Sequence, residues 1–421
     1  MRKSRLTAAV SLAVLATIAS GCSGSTPGGD NTASDNGRGP ITFATGKDTT
    51  GQLQKLLDKW NTAHPSEKVT MVELSESADD QRNAMVQNFQ AKSSQFDVVN
   101  ADVVWTAEFA ARGWIAPLDG KIDTGALLPA TVATATYNGK LYAAPYTSDG
   151  GMLYYRKDLV PTPPKTWDEL KADCSVATQN KMGCYAGQFA QYEGLTVNVS
   201  EAINSAGGDI VKNSGKDVTV DSSEAKKGLQ FLVDGFQQGY IPKEAITYQE
   251  EEGRRSFQQG HLLFMRNWPY VYNLAQAPGK DSVVQGKFAV APLPGPDGPG
   301  SSALGGHNLA LSSFSKHQQS AVDWMKFMES TDIQRPLLTE LSNAPVVAAL
   351  YDDPQLQQQV PYLATLKESI LNAKTRPVTP VYNEVTLAIE KNSYEALQGK
   401  KSVDDALKDM AADIKRAAAN N

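Results

Sequence analysis

Cysteine is scarce in this 421-residue chain, with three in all, and histidine is barely commoner, with four. A structural zinc site draws about four such ligands together. No His lies near Cys174 or Cys184, so of the two readings of that pair, a local disulfide or half of a metal site, the disulfide is favoured. Enzyme signatures are missing as well. There is no Walker loop, no G-x-G-x-x-G, no G-x-S-x-G elbow and no H-E-x-x-H. Cationic surface is lacking: 40 Lys and Arg stand against 46 Asp and Glu, a net charge of −6, with no basic stripe. That excludes nucleic acid as a partner. Beyond the N-terminal apolar stretch no run is long enough to cross a bilayer, and no internal repeat is visible.

The N-terminus carries the clearest local pattern. Arg2, Lys3 and Arg5 precede an apolar run from Leu6 to Ala19, followed by small residues. This predicts a secretory signal over residues 1–21. The run ends in Ala19-Ser20-Gly21-Cys22, which resembles a lipobox. The resemblance implies acylation of Cys22, the new N-terminus after cleavage. Ala19 stands where the motif usually has a larger aliphatic residue, and plain secretion with Cys22 as a free thiol is the alternative. Residues 22–39 are almost entirely small or polar and cannot bury a core, so they predict a flexible tether. In an exported protein Cys174 and Cys184 read as a disulfide closing a short loop.

The body from Pro40 exceeds what one hydrophobic core usually serves, so two lobes are expected. Ile41–Ala44, Val69–Val72 and Phe96–Asn100 read as strands. Between them lie helices at about 52–64 and 79–92. Leu53, Leu56, Leu57 and Trp60 recur at helical spacing. The alternation predicts α/β units on a parallel sheet. Further on, 229–236, 321–328 and 403–410 read as amphipathic helices, 261–265 as a buried strand and 292–299 as a Pro/Gly loop.

Ligands of open α/β sheets bind beyond the carboxyl ends of the strands. The segments there hold Asp48; Asp102 and Trp105; Tyr146, Ser148 and Asp149; Asn267, Trp268 and Tyr270; and Gly305 to Asn308. Carboxylates and amides accept from sugar hydroxyls, and aromatic rings pack on the apolar face of a sugar ring. Arg266 and Arg376 alone do not form the cationic cluster that an anionic ligand needs. Glu250-Glu251-Glu252 has two readings, a glycosidase carboxylate or an acidic first turn of a helix. Trp60, Trp167 and Trp324 read as core, and Trp268, between Asn267 and Pro269, as part of a site.

The chain resembles the extracellular solute-binding proteins of carbohydrate ABC importers, the maltose-binding-like family. The resemblance runs over about residues 40–421. It rests on Gly113-Trp114-Ile115-Ala116-Pro117-Leu118, Asn138-Gly139-Lys140-Leu141-Tyr142-Ala143-Ala144-Pro145, Thr166-Trp167-Asp168-Glu169-Leu170 and Leu304-Gly305-Gly306-His307-Asn308 in a shared order. Within the family it is most similar to actinobacterial trehalose-binding lipoproteins and trehalose/maltose-binding proteins. The blocks are Asp102 to Ala110, Gln191-Tyr192-Glu193-Gly194-Leu195, Asn267-Trp268-Pro269-Tyr270 and Arg376 to Tyr382. That likeness implies that Asp102, Asp149, Glu250, Trp268, Gly305 and Arg376 hold a disaccharide. Asp48, Tyr270 and His307 complete the candidate set. Asp149 stands where some relatives carry Asn, and His307 where others carry Trp.

The implied architecture is a two-lobe periplasmic-binding-protein fold with a hinge and an interlobe cleft. Lobe one is expected at 40–146 and 281–330, and lobe two at 147–280 and 331–421. The implied function is capture of trehalose or a related α-glucoside by lobe closure and delivery to the transmembrane permease subunits. The protein is expected to act as a monomer on the outer face of the cell membrane, held there by its lipid, with no metal and no organic cofactor. The alternatives are a secreted glycoside-acting enzyme, or a binder of a polyol or glycerophosphodiester.

Overall fold

The computed structural model describes residues 37–212 and 217–419. The predicted signal segment, Cys22 and most of the tether lie outside the described residues. Residues 37–39, read from composition as tether, already lie on the body. Arg38 pairs with Glu67 at 3.0 Å and with Asp323 at 2.8 Å, and the Gln319 amide donates to the Gly37 carbonyl. Composition shows that a segment has nothing apolar to bury; it does not show where one arginine finds its carboxylates.

Two sheets organise the rest. The first has the strand order Val69–Glu73, Ile41–Thr45, Val98–Asp102, Leu304–Leu311, Ala143–Gly150. Its first three members are parallel, as the alternation predicts, and the helices Leu53–Ala63 and Ala78–Gln90 connect them. Leu53, Leu56, Leu57 and Trp60 are the buried face of the first of these helices. Leu304–Leu311 comes from far along the chain and runs antiparallel to both its neighbours, which leaves Ala143–Gly150 in the same direction as the first three. The second sheet has the order Ala289–Ala291, Met152–Tyr155, Leu262–Asn267, Gly183–Ala186. Leu262–Asn267 is buried along its whole length, including the polar Arg266 and Asn267.

Each sheet carries its own hydrophobic core. The first gathers Phe43, Trp60, Phe109 and Trp324; the second gathers Tyr154, Phe257, Phe264 and Leu366. The chain changes sheets at Gly150-Gly151, and a Cβ on Gly151 would stand 2.6 Å from the Arg266 guanidinium and 2.7 Å from Glu201. Only glycine fits this crossing. The chain returns to the first sheet between Ala291 and Leu304. Val284, Phe288, Ala291 and Leu293 pack in the second core, and Ile333, Leu337 and Leu341 in the first. Both segments fall on the other side of the lobe boundaries drawn from sequence at 281 and 331. Hydrophobic periodicity marks a buried face but does not say which core receives it.

Cys174, on the helix Trp167–Gln179, is bonded to Cys184, on the strand Gly183–Ala186, with the Cα atoms 5.1 Å apart. Thr166 and Glu169 start that helix with a reciprocal capping box. Closing so short a loop restricts the unfolded chain by about 2–3 kcal/mol. Reduction should lower stability by that amount in chemical denaturation. An unchanged midpoint under reductant would show that the bond contributes nothing.

Candidate functional site

A cavity of about 260 Å³ opens at the carboxyl ends of the strands. Asp48, Asp102, Asp149, Glu250, Trp268, Tyr270, Gly305, His307 and Arg376 all line it, so the fold brings together every ligand residue expected from sequence. Strand register explains part of this. Asp102 pairs with His307 across the first sheet, and Asp149 lies opposite Gly305.

Trp268 follows the buried strand Leu262–Asn267, and its ring is fixed from beneath. The Arg266 guanidinium lies 3.8 Å from the ring centroid, a cation–π contact in a dry setting. Arg266 is fully buried, and Glu201 neutralises it through bonds of 2.7 and 2.6 Å. Gln188 accepts a third bond at 3.0 Å. At the ring's edge, a Cβ on Gly305 would come within 2.7 Å, so glycine is required for the indole to lie there. The backbone is tied as well: Tyr154 donates to the Trp268 carbonyl at 2.8 Å, and the Trp268 amide donates to Asn267 at 2.8 Å. The result is a rigid aromatic wall.

Seven carboxylate side chains stand in the remaining wall. Arg376 joins Asp102, at 2.6 Å, to Glu193, at 2.5 Å. Glu193 also accepts from Tyr382 at 2.5 Å and Thr386 at 2.8 Å. Burial nonetheless pushes the Glu193 carboxyl above the ordinary glutamate range, with Arg376 pulling the other way. Sequence reading placed Glu193 only inside a resemblance block and gave it no role. Its signal, a glutamate in the first turn of a helix, is too common to single it out. Glu250 accepts from Tyr192 at 2.7 Å, and burial raises it too. Tyr270 donates to Glu251 at 2.7 Å. Glu250, Glu251 and Glu252 form the first turn of the helix Glu250–Gln258, with Glu252 closing a capping box on Gln249. This is the helix-start reading, with Glu250 and Glu251 facing the cavity. Asp48 accepts from the Thr50 and Leu53 amides at 2.9 and 2.8 Å, so it also holds the start of its own helix.

The chain matches the family described as bacterial extracellular solute-binding protein over residues 46–335. It belongs to that family. It is 35% identical over 399 residues to a probable ABC transporter-binding protein of Deinococcus radiodurans, covering 89% of this chain and 93% of that one. Among solved structures it is similar to maltose-bound MalE3 of T. maritima, with 34% identity and a TM-score of 0.84, covering 90% of this chain and 99% of the other. It is also similar to a D-mannitol-bound ABC transporter solute-binding protein of Agrobacterium vitis, with 26% identity, a TM-score of 0.76 and coverages of 90% and 98%. The two-sheet architecture is the two-lobe α/β fold of these binding proteins. The protein is thus an extracellular solute-binding subunit of an ABC transporter, and not an enzyme.

Electrostatics narrow what this solute-binding protein accepts. Of the cations lining the cavity, Lys47 is paired with Glu76 at 2.9 Å, and Arg376 is held between two carboxylates. An anionic ligand would meet an excess of negative charge. A polyhydroxyl ligand would meet acceptors. His307 is held below the ordinary histidine range by desolvation, against the pull of Asp102, and is neutral at neutral pH.

Asp149 is pushed up to about 7, first by burial and then by Asp102, against Arg266 and a hydrogen bond from the Ala344 backbone. Its folded-state affinity for a proton thus exceeds that of the unfolded chain. This contribution to stability is complete at acid pH and is lost as pH rises toward 7. Ionised Asp149 should cost the empty protein about 1–3 kcal/mol, because the cavity-facing side keeps some water. Asp149→Asn is therefore expected to be more stable than the parent at pH 8 and nearly equal at pH 4. Thermal unfolding across that range checks it, and a pH-independent difference would contradict it.

Proposed function

We propose that the protein captures a neutral glucoside, trehalose or a related α-glucoside disaccharide, and releases it to its permease. The observation that carries this reading is the clamped Trp268 ring amid hydroxyl-accepting carboxylates. Stacking would desolvate the apolar face of one glucosyl ring. Asp149 and Glu250, both raised by burial, would accept hydrogen bonds from hydroxyls. The lobes are taken as the two cores with the strands crossing between them, and a ligand touching both favours the closed arrangement by its differential affinity. The protein acts as a monomer and is retained at the outer membrane face by lipid on Cys22. Cys22→Ala is expected in the medium, and its retention on the membrane would place the anchor elsewhere.

A polyol is the second reading, favoured by the likeness to the mannitol-bound protein. A glycerophosphodiester is opposed by the acidic wall. Thermal shift against trehalose, maltose, D-mannitol and glycerophosphocholine separates these classes, because a ligand bound only by the native state raises its stability. Trehalose or maltose should give the largest shift. A larger shift with D-mannitol would overturn the disaccharide reading.

A further inference from the structure

We propose that Asp79 is a catch between the two lobes, acting by capping a helix that belongs to the other core. The helix Glu193–Ser205 is buried from its first turn, yet its own N-cap, Tyr192, offers no side-chain acceptor. A buried helix start needs acceptors for its free amides. Asp79 supplies one: its Oδ1 accepts from the Glu193 amide at 3.2 Å, across 114 positions of sequence. Asp79 sits in the first turn of Ala78–Gln90, whose Met85 and Phe89 pack in the first core. Leu195, Val199 and Ile203 of the capped helix pack in the second. The cap therefore joins two bodies, and its negative charge stands at the positive end of the helix dipole.

Residue 193 is tied to the first core by its carboxylate, which Tyr382 also reaches, and by its amide. Its carboxylate holds Arg376, which holds Asp102, and its amide is held by Asp79. The two ties differ in one respect. Asp102 and Arg376 line the cavity, whereas Asp79 does not, although its neighbours Ala78 and Gln81 do. Asp79 is a positioning residue: it acts on closure and touches no ligand. Losing it weakens the closed state alone. Asparagine caps helices about as well as aspartate, so Asp79→Asn retains most of the effect and Asp79→Ala loses it. The adjacent Asp80 is exposed and bonds only within its own loop, to Ser75, so Asp80→Ala serves as the control.

This inference takes from the proposed function only that the lobes close. Small-angle scattering of the full chain without added ligand should show a larger radius of gyration for Asp79→Ala than for the parent. Asp79→Asn and Asp80→Ala should stay near the parent value. With trehalose as probe, Asp79→Ala should bind about fivefold more weakly, the size of a lost helix cap, through faster dissociation. Ligand-free scattering of Asp79→Ala that coincides with the parent's overturns the catch. If the parent itself does not bind trehalose, the disaccharide reading fails, and the scattering comparison still decides the catch.

Discussion

Trp268→Ala should weaken binding of trehalose or a related α-glucoside by more than tenfold and leave the fold intact. Three observations set that expectation. The ring lines the cavity and is only half-buried, so the ligand is what completes its burial. Arg266 beneath it and Gly305 at its edge fix its orientation, so little side-chain entropy is lost on stacking. Removing a central aromatic anchor typically costs about 2 kcal/mol or more. The variant would also uncover Arg266, but Glu201 and Gln188 keep that guanidinium paired, so stability should fall only modestly. Trp324→Ala is the contrast. Trp324 is fully buried against Phe43, with ring centroids 4.8 Å apart, and its loss should cost about 3–5 kcal/mol of stability. Calorimetric titration and thermal unfolding of both variants separate the two roles. Unchanged affinity in Trp268→Ala would remove this ring from the site.

Arg376→Met should produce the largest loss of stability among the cavity residues, about 3–5 kcal/mol at pH 8. Arg376 is buried, and its loss leaves Asp102 and Glu193 as carboxylates with no cation between them. Arg376→Lys should recover little, since a single ammonium cannot reproduce the fork that meets both acids. The sign of the pH dependence follows from the same geometry. Burial already raises Glu193, and removing the cation raises it further, so the variant's native state takes up a proton more readily than the parent's. The stability gap should therefore narrow as pH falls from 8 to 5. Urea denaturation at both pH values measures it, and a gap that stays constant would show that Glu193 is not the group left uncompensated.

Arg376 illustrates where sequence reading stops. It was expected at the site, and it is there, but as the partner of two acids rather than as a free donor to hydroxyls. Arg266 was set aside as too isolated to attract a charged ligand. It proves to be the support of the aromatic wall. Glu193 was visible only as one letter in a block that carried the family resemblance, although it gathers Arg376, Tyr382 and Thr386 around one carboxylate.

Elements and partners were decided at different levels, for a physical reason. The face formed by Leu53, Leu56, Leu57 and Trp60, the parallel run of the first three strands, and the post-strand placement of Asp102, Asp149 and Trp268 were all legible in sequence. These depend on periodicity and on where strands end, which neighbouring residues determine. Core membership of 284–293 and 333–341 was not legible, nor were the Arg266–Glu201 and Asp102–Arg376 pairs, nor the reach of Asp79 to the Glu193 amide. Those depend on which buried charges and uncapped amides meet after the chain has crossed between its sheets, at separations of 65 to 274 residues. Local pattern carries no record of such meetings, because a buried charge is stabilised by whichever partner the closed fold delivers to it.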